Sequence, residues 1–416
     1  MIDRRSFAAL VAGVAAAPRI AWSQMTASKT VFYASVGPAL TRYQIDVDGA
    51  SLIRQETVML SANEQYIWRH PSAPLLYAAT SNGGSSSLGI KGDKHFLSAL
   101  RIDPASGALT PHGPDAALTT RPIHMSLDRT GGYALVAYNS PSGVTVHRIA
   151  PDGAVGEEVK QAEKPDGGIF AHQVRTTPAN DAAILVTRGN DAAGSKPEDP
   201  GALKMFGFKN GQLTNHGSVA PNGGYGFGPR HLDFHPTLPF VYVSLERENK
   251  LSVYRLKDGV LDPQVIFSKN TLAEPGNIRS RQAASTVHVH PNGRTVYVGN
   301  RASDTVDFQG QKVFPGGENN IAVFSINPVS GEPTLIQNAD AHGIHPRTFS
   351  LDPSGRMMVA ANIQTMLVRE GDGIKTVPAN LATYHVGADG RLSFANNYEV
   401  DTGNAQQFWS GMVALG

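Results

Sequence analysis

Two charged residues, Arg230 and Glu246, combine an anion-binding guanidinium with a carboxylate sixteen residues later. A guanidinium offers fixed donors to a substrate carboxylate or a developing oxyanion, and a carboxylate can transfer a proton. Both lie in the stretch from Gly228 to Glu246, which is one copy of an internal repeat. Several other copies carry uncharged residues at these places. We therefore expect chemistry where this copy departs from the repeat.

The repeat is a short apolar strand that ends in a Pro-containing turn, followed by a second strand rich in Val, Tyr and Ala. Its spacing varies from 49 to 62 residues when the turn marks the phase, and the six marks are Pro71, Arg129, Pro178, Pro236, Pro291 and Pro353. Each copy continues with a third strand, a Gly-containing turn and a fourth strand. Four short strands at this period are typical of a β-propeller blade, because one blade cannot bury both of its faces alone.

The two ends of the chain supply one further blade. Residues 30–60 contain three strands without a preceding inner strand, and residues 407–415 contain one strand with nothing after it. We therefore predict an all-β fold, a seven-bladed β-propeller with four antiparallel strands per blade, closed by N- and C-terminal strands that share one blade. Such closure removes exposed strand edges. Residues 24–416 would form this single domain.

Equivalent positions of the copies place charged side chains at one mouth of the central channel. The residues six positions before the phase marks, where inner strands begin, are Gln65, Ile123, His172, Arg230, Ser285 and Arg347. The second strands end near Ser81, Asn139, Gly189, Glu246, Arg301 and Asn362. Because consecutive strands are antiparallel, both sets face the same mouth. The candidate catalytic residues are His172, Glu246, Arg230 and Arg301. The candidate substrate-binding residues are Arg347, His231, Asn139 and Asn300.

Structural roles remain open for several of these residues. Arg230 and Glu246 could form a salt bridge within one blade, and His172 could bond a neighbouring strand. Histidines that precede prolines recur in the turns, as at His235 and His290, and this recurrence favours a structural role for them. The asparagines at the strand ends could hold the backbone rather than a ligand.

The chain contains five motifs that resemble those of the seven-bladed propeller lactonase family and follow in the same order. This family includes propeller-type 6-phosphogluconolactonases and the fungal carboxymuconate lactonizing enzyme. The motifs are Ala171-His-Gln-Val, Gly228-Pro-Arg-His-Leu-Asp-Phe-His-Pro, Val241-Tyr-Val-Ser-Leu-Glu, Tyr297-Val-Gly-Asn-Arg and His345-Pro-Arg-Thr-Phe-Ser-Leu-Asp-Pro-Ser-Gly. The resemblance implies that its active-site residues correspond to His172, Arg230, Glu246 and Arg301. Ala302 stands where the family usually has Gly. Four insertions after second strands also depart from the family, at residues 82–95, 189–201, 302–318 and 363–380, and all should border this mouth.

The chemistry of lactone opening suits these side chains. Water must be activated, a tetrahedral oxyanion stabilised and the leaving alkoxide protonated. Glu246 or His172 could transfer protons, and nearby guanidiniums would keep Glu246 ionised, which favours a base role for it. Arg230 and Arg301 would bind the anionic groups. We therefore predict a lactone hydrolase acting on a sugar-acid or carboxylated lactone. The alternatives are a muconate-type lactonizing cycloisomerase and a non-catalytic propeller that binds a ligand or a protein.

The N-terminus predicts export. Paired Arg4 and Arg5, followed by Phe7 and an Ala/Gly-rich apolar run, resemble a twin-arginine signal peptide over residues 1–23. The run is too short to be a permanent membrane span. We therefore expect the twin-arginine export machinery to carry the protein to the periplasm, where the mature form would have no membrane anchor.

Composition narrows the remaining function classes. A net charge of +1 gives no field that would attract nucleic acid. The 416 residues include no Cys, which excludes thiol catalysis and disulfides, and no Gly-x-Ser-x-Gly or His-Glu-x-x-His motif occurs. We predict an enzyme without cofactor or metal, active as a monomer.

Overall fold

A computed structural model describes residues 29–84 and 91–415, and it contains seven antiparallel blades and two small additional hairpins. Residues 1–23, the predicted signal peptide, lie outside the described ranges. Each blade has four strand positions, and in one blade two short strands share the outermost position. The predicted all-β seven-bladed propeller is confirmed. The one helix in the described part of the chain is a single 3-10 turn, Pro221–Gly224, so no helix there is long enough to cross a bilayer.

The first half of the chain supplies three strands of the closing blade and all of blades 1 to 3. The closing-blade strands are β1 (Thr30–Val36), β2 (Ala39–Asp46) and β3 (Ser51–Met59). Blade 1 contains β4 (Asn63–Arg69), β5 (Leu75–Ser81), β6 (His95–Ile102) and β7 (Leu109–Ala117). Blade 2 contains β8 (Pro122–Leu127), β9 (Tyr133–Asn139), β10 (Ser142–Ile149) and β11 (Val155–Glu158). Blade 3 contains β12 (Ala171–Thr176), β13 (Ala182–Thr187), β14 (Ala202–Lys209) and β15 (Gln212–Val219).

The second half supplies blades 4 to 6 and the last strand. Blade 4 contains β16 (Pro229–Phe234), β17 (Phe240–Leu245), β18 (Lys250–Lys257), β19 (Val260–Leu261) and β20 (Phe267–Asn270). Blade 5 and its inserted hairpin contain β21 (Ala283–Val289), β22 (Thr295–Arg301), β23 (Val306–Phe308), β24 (Gln311–Val313), β25 (Asn320–Ile326) and β26 (Pro333–Asp340). Blade 6 and its inserted hairpin contain β27 (Pro346–Leu351), β28 (Met357–Asn362), β29 (Met366–Glu370), β30 (Gly373–Val377), β31 (Asn380–Val386) and β32 (Leu392–Glu399). The chain ends with β33 (Ser410–Ala414).

The ring closes because β33 takes the inner position of the blade that β1 to β3 begin. Val413 lies opposite Val31, and Gly411 lies opposite Tyr33, in an antiparallel pairing. The first and last strands of the propeller are thereby joined through hydrogen bonds, as the sequence predicts, and β1 is paired on both of its edges.

The cores lie between blades, where apolar faces of consecutive sheets pack together. Blades 4 and 5 enclose Tyr242, Val253, Val296 and Phe324, which are fully buried. The Tyr242 hydroxyl donates to the carbonyl oxygen of Gly331 in the next blade at 2.8 Å. Tyr33, Tyr77 and Tyr297 make the same kind of contact with the next blade along the chain. These bonds fix neighbouring blades relative to one another, which a site shared between blades requires.

A β-bulge occurs near the start of six inner strands. The pairing register skips one residue in five of them, and these residues are Gln65, Ile123, His172, Arg230 and Arg347. In the sixth it skips Ser285 and Thr286. A bulge leaves its extra residue out of the ladder and re-aims the side chain. The bulges therefore coincide with the six positions that the repeat phase identifies.

Two of the four insertions form paired hairpins. β23–β24, within 302–318, contacts β29–β30, within 363–380, through a hydrogen bond from the Phe314 amide to the Leu367 carbonyl at 2.8 Å. Ala302, Phe314, Ile344 and Met366 form a small separate core beneath them. The lactonase family that the sequence resembles usually has Gly at the position of Ala302, and here the Ala302 methyl group packs in this small core.

Candidate active site

A cavity of about 1130 Å³ opens at the predicted mouth of the channel. Its wall includes strand ends and bulges from blades 2 to 6, as well as part of the 189–201 insertion. Of the predicted residues, the wall contains His172, Glu246, Arg301, Arg347 and Asn139. Strands from different blades thus bring together side chains that are far apart in the sequence.

Glu246 is the centre of a cluster of guanidiniums. Its Oε1 atom accepts a hydrogen bond from Arg301 Nη2 at 3.0 Å and lies 3.4 Å from Arg188 Nε. Its Oε2 atom lies 3.5 Å from Arg230 Nε. Burial by itself would raise the pKa of Glu246, but Arg301, Arg188 and Arg230 outweigh it and lower that pKa to about 2. Glu246 is therefore ionised at any ordinary pH.

Arg230 supports this cluster from behind the cavity wall. Its side chain is 1% exposed, and its Nε and Nη1 atoms have no hydrogen-bond acceptor within the described residues. Burial and then the nearby Arg301 lower the pKa of Arg230 well below its usual value, which Glu246 partly offsets. A buried guanidinium with free donors is costly, so this site has unused capacity to stabilise an anion.

His172 lines the cavity as a neutral imidazole. Burial, followed by the charges of Arg230, lowers the pKa of His172 well below its usual value of 6.5. Its Nδ1 atom is buried without a hydrogen-bond partner among the described residues, and its ring lies 5.1 Å from the His231 ring. A neutral imidazole can accept a proton, whereas an imidazolium could not.

Arg347 is a further guanidinium of the cavity wall. Its guanidinium lies 3.8 Å from the centre of the Phe408 ring, and Arg121 lies over the same ring at 5.9 Å. Burial and the neighbouring Arg301 lower the pKa of Arg347 to about 9, so the side chain remains cationic near neutral pH. The aromatic face holds both guanidiniums toward the cavity without neutralising them.

The 189–201 insertion fixes further charges at the rim. Asp191 accepts hydrogen bonds from Arg188 at 2.6 Å and from Arg247 at 2.7 Å, and Glu198 forms a second ion pair with Arg247. The cavity wall as a whole has seven Arg and Lys side chains but two carboxylates, Asp191 and Glu246. This excess of positive charge favours anionic ligands.

Two predicted substrate-binding residues lie outside the cavity wall. Asn300 donates to the Thr271 carbonyl at 2.8 Å and to Asn320 Oδ1 at 2.7 Å, and it accepts from Thr271 Oγ1 at 2.7 Å. These bonds use its amide fully. His231 lies behind His172, where its Nδ1 atom is 3.0 Å from Thr286 Oγ1. Asn300 and His231 therefore support the residues of the cavity wall and do not line the cavity themselves.

The turn histidines have structural contacts. His235 accepts the amide hydrogen of Leu238 at its Nδ1 atom, with a distance of 2.9 Å, and contacts the Gly293 carbonyl at 2.8 Å. His290 makes the equivalent contact with the Gly355 carbonyl at 2.8 Å. The two residues stabilise turns and neighbouring blades.

Sequence reasoning missed Arg188, Arg121, Ser303 and His345, which all lie in the wall. The position ten residues after each phase mark contains Glu246 and Arg301, and in the third copy this position is Arg188 rather than the adjacent Gly189. A stricter use of the repeat would therefore have found Arg188. Ser303 follows a strand end within an insertion, and no repeat position predicts it.

No group of three or more His, Asp and Glu side chains in residues 29–84 and 91–415 is arranged to hold a metal ion. The described wall offers two carboxylates, neutral imidazoles and guanidiniums.

Comparison with known proteins agrees with this fold. Residues 28–369 match the family described as "Lactonase, 7-bladed beta-propeller". The chain belongs to this lactonase family. It is 27% identical over 338 residues to a 6-phosphogluconolactonase of Bacillus subtilis, which covers 78% of this chain and 84% of the relative. A 6-phosphogluconolactonase of Pectobacterium carotovorum is 26% identical over 79% of this chain and 84% of its own.

A solved structure shows the same fold. The periplasmic gluconolactonase PpgL of Pseudomonas aeruginosa superposes with a TM-score of 0.70 at 21% identity, over 94% of this lactonase-family chain and 100% of its own. The family assignment, the propeller fold and a lactonase-type activity are thus all consistent with the clustered acid/base and cationic side chains.

Proposed function

We propose that this protein hydrolyses the lactone of a sugar acid, or a related lactone with a negatively charged substituent. The observation that carries the proposal is the convergence of Arg188, Arg230 and Arg301 on Glu246, in the wall of an open cavity that the neutral His172 also lines. This arrangement provides both a proton acceptor and stabilisation of a developing oxyanion.

In the proposed reaction, the neutral imidazole of His172 accepts a proton from the attacking water as the new C–O bond forms. Arg301 stabilises the negative charge on the carbonyl oxygen, with Arg230 behind it. The ring C–O bond then breaks, and His172 returns the proton to the leaving alkoxide, which yields a hydroxy acid. Glu246 holds the guanidiniums in place and remains a second acceptor. An anionic substrate would offset the guanidinium charges and thereby raise the pKa of His172 toward the range that proton transfer needs.

The charge of the cavity supports an anionic substrate. The wall has seven basic side chains and two carboxylates. Arg347 and Arg121 of this wall both contact the ring of Phe408. The names of the relatives, 6-phosphogluconolactonase and gluconolactonase, support an aldonic acid lactone as the substrate class. The carboxylated and phosphorylated members of this class bring the additional charge that the basic wall would bind.

A pH-stat assay of a lactone panel tests the proposal. The panel contains a neutral aldonolactone, a phosphorylated one and a carboxylated one, and acid release measures hydrolysis. We expect turnover by the wild type, with higher kcat/KM for the anionic lactones. We expect kcat/KM to fall about 100-fold or more in His172→Gln, because general base catalysis contributes about that much. His216→Gln is the control, because His216 is an exposed histidine away from the cavity wall.

Absence of turnover on the whole panel would contradict the proposal. Full activity in both His172→Gln and Arg230→Ala would instead show that hydrolysis occurs at a different site. Inclusion of a muconate in the same panel, followed by its ultraviolet absorbance, tests the cycloisomerase alternative directly.

We also propose export to the periplasm by the twin-arginine route, with removal of residues 1–23. The paired Arg4 and Arg5 support this, and so does the structural similarity to the periplasmic gluconolactonase PpgL. Replacement of both arginines by lysine should leave the precursor in the cytoplasm, as cell fractionation would show. N-terminal sequencing of the exported form should begin at Gln24; processing elsewhere or export of the Lys variant would contradict the assignment.

A further inference from the structure

Ser303, in the 302–318 insertion, is connected to the guanidinium cluster through His345. The Ser303 Oγ atom lies 2.8 Å from His345 Nδ1, and His345 Nε2 lies 3.2 Å from Arg301 Nη1. All three side chains line the cavity. A serine next to a histidine suggests a nucleophile and its base, so the direction of each hydrogen bond decides what Ser303 can do.

The direction follows from Arg301, whose guanidinium only donates hydrogen bonds. Nε2 of His345 must therefore accept, and the single proton of the neutral ring must lie on Nδ1. Burial, followed by the charge of Arg301, lowers the pKa of His345 well below its usual value, so a second ring proton is disfavoured. The Nδ1–H group then donates to Ser303 Oγ. His345 in this state cannot accept a proton from Ser303.

The Ser303 hydroxyl proton consequently remains free for another partner. Within the described residues, the hydrogen bond that its Oγ atom makes to a side chain is the one to His345. Arg301 donates a hydrogen bond to His345, and His345 donates one to Ser303. Because both bonds have the same direction, the positive charge of Arg301 makes the Ser303 hydroxyl a stronger donor. That donor lies in the wall of the cavity that holds Glu246 and His172.

The backbone around this pair is held in place. The Oδ1 atom of Asn319 accepts the amide hydrogen of Ala302 at 3.0 Å and that of His345 at 2.9 Å. Ala302 is also packed in the small core beneath the two hairpins. One asparagine thus ties the start of the insertion to the segment that carries His345, so Ser303 and His345 keep their relative position without a ligand.

We propose that Ser303 is a substrate-contacting hydrogen-bond donor, oriented by His345 toward a substrate oxygen that carries or gains negative charge, and that it is not a nucleophile. His345 is a positioning residue that transmits the orientation from Arg301. This inference rests on the proposed hydrolysis for its kinetic effect. The hydrogen-bond directions themselves do not depend on which lactone is the substrate.

Kinetics of Ser303→Ala and Ser303→Thr on an aldonolactone provide the first test. We expect kcat/KM to fall about 10- to 100-fold in the Ala variant, which is the usual effect of one hydrogen bond to a charged group. The Thr variant keeps the hydroxyl and should recover most of the activity. Ser280→Ala is the matched control, because exposed Ser280 bonds to Asp304 of the same insertion but does not line the cavity.

Nitrogen NMR of histidine side chains provides a second test that needs no turnover. His345, assigned by comparison with His345→Gln, should show a neutral ring protonated at Nδ1 throughout about pH 6 to 8. Addition of gluconate should shift this signal in the wild type and shift it much less in Ser303→Ala.

The outcomes separate the two proposals. A ring protonated at Nε2, or unchanged kinetics in Ser303→Ala, would overturn the donor role. Complete loss of activity in Ser303→Ala, together with a covalent adduct on Ser303 in the wild type by mass spectrometry, would overturn it in favour of a nucleophile. If the wild type hydrolyses no lactone, the proposed function fails, while the ring proton and the gluconate titration still decide the hydrogen-bond directions.

Discussion

The Glu246 carboxylate accepts a hydrogen bond from Arg301 across the boundary between blades 4 and 5, with an Oε1 to Nη2 distance of 3.0 Å. Glu246 follows β17, and Arg301 ends β22. The two residues occupy equivalent positions in consecutive copies of the repeat, so a repeat position becomes an ion pair once neighbouring blades pack. This relationship makes the cluster a property of the assembled ring rather than of any one blade.

Replacement of Glu246 by Gln should lower both stability and activity. Three guanidiniums would lose their common counter-ion, and removal of one partner from a buried pair costs about 3 kcal/mol in the free energy of unfolding. Urea unfolding measures this loss. Glu332→Gln is the control, because Glu332 pairs with Lys269 at the surface and its side chain is 42% exposed. Its loss should cost less than about 1 kcal/mol, and equal effects of the two substitutions would contradict the buried cluster.

The stability of the protein should depend on Glu246 at acidic pH. Its pKa falls from the usual 4.5 to about 2 on folding, so the unfolded chain binds more protons in that window. Glu246 therefore adds stability that is fully present above about pH 4.5 and is lost as pH falls toward about 2. Urea unfolding at several pH values should show a steeper acid loss for wild type than for Glu246→Gln. Parallel curves for the two proteins would argue against the lowered pKa.

The activity should not fall as the pH is lowered from about 8 to about 6. The proposed base His172 has a pKa well below 6.5, so it is already neutral there. We expect kcat/KM to stay constant from about pH 8 to about pH 6 and to fall only at lower pH, as the imidazole becomes protonated. A pH profile on an aldonolactone measures this. A midpoint at or above the usual histidine value would contradict a base held neutral by the guanidiniums.

Arg188→Ala should lower activity although the sequence motifs do not include this residue. Its Nε atom lies 3.4 Å from Glu246, and its Nη2 atom bonds Asp191 at 2.6 Å, so its loss frees both carboxylates. We expect kcat/KM to fall about 10-fold or more, as for one charge-assisted contact. Arg148→Ala is the control, because exposed Arg148 contacts Tyr133 away from the cavity wall. Similar kinetics for the two variants would place Arg188 outside the site.

Asn139 and Asn300 should respond differently to replacement by Ala. Asn139 lines the cavity, so its loss should raise KM with little change in unfolding. Asn300 is buried in a hydrogen-bond network with Thr271 and Asn320, and its loss should cost about 2 kcal/mol of stability with unchanged KM. Steady-state kinetics and urea unfolding of both variants give the comparison, and a raised KM in Asn300→Ala would restore its predicted substrate role.

The repeat predicted the fold because each blade meets the same physical requirement. A four-stranded blade with two apolar faces needs neighbours on both sides, so copies at a regular spacing with complementary ends indicate a closed ring. The same phase identified the bulged positions of His172, Arg230 and Arg347. Used strictly, the phase also separates Asn139, which lies ten residues after its mark and lines the cavity, from Asn300, which lies nine residues after its mark and is held in a network by Asn320 from the neighbouring strand.

The sequence by itself determined the propeller, its closure by β1 and β33, and the mouth at which charged side chains meet. These features depend on periodic patterns that recur along the chain. Only the tertiary structure decided that Arg188 joins Glu246, that His345 connects Arg301 to Ser303, and that the inserted hairpins pack on one another. Those contacts depend on how neighbouring blades and insertions place particular side chains, and no local pattern encodes a distance between them.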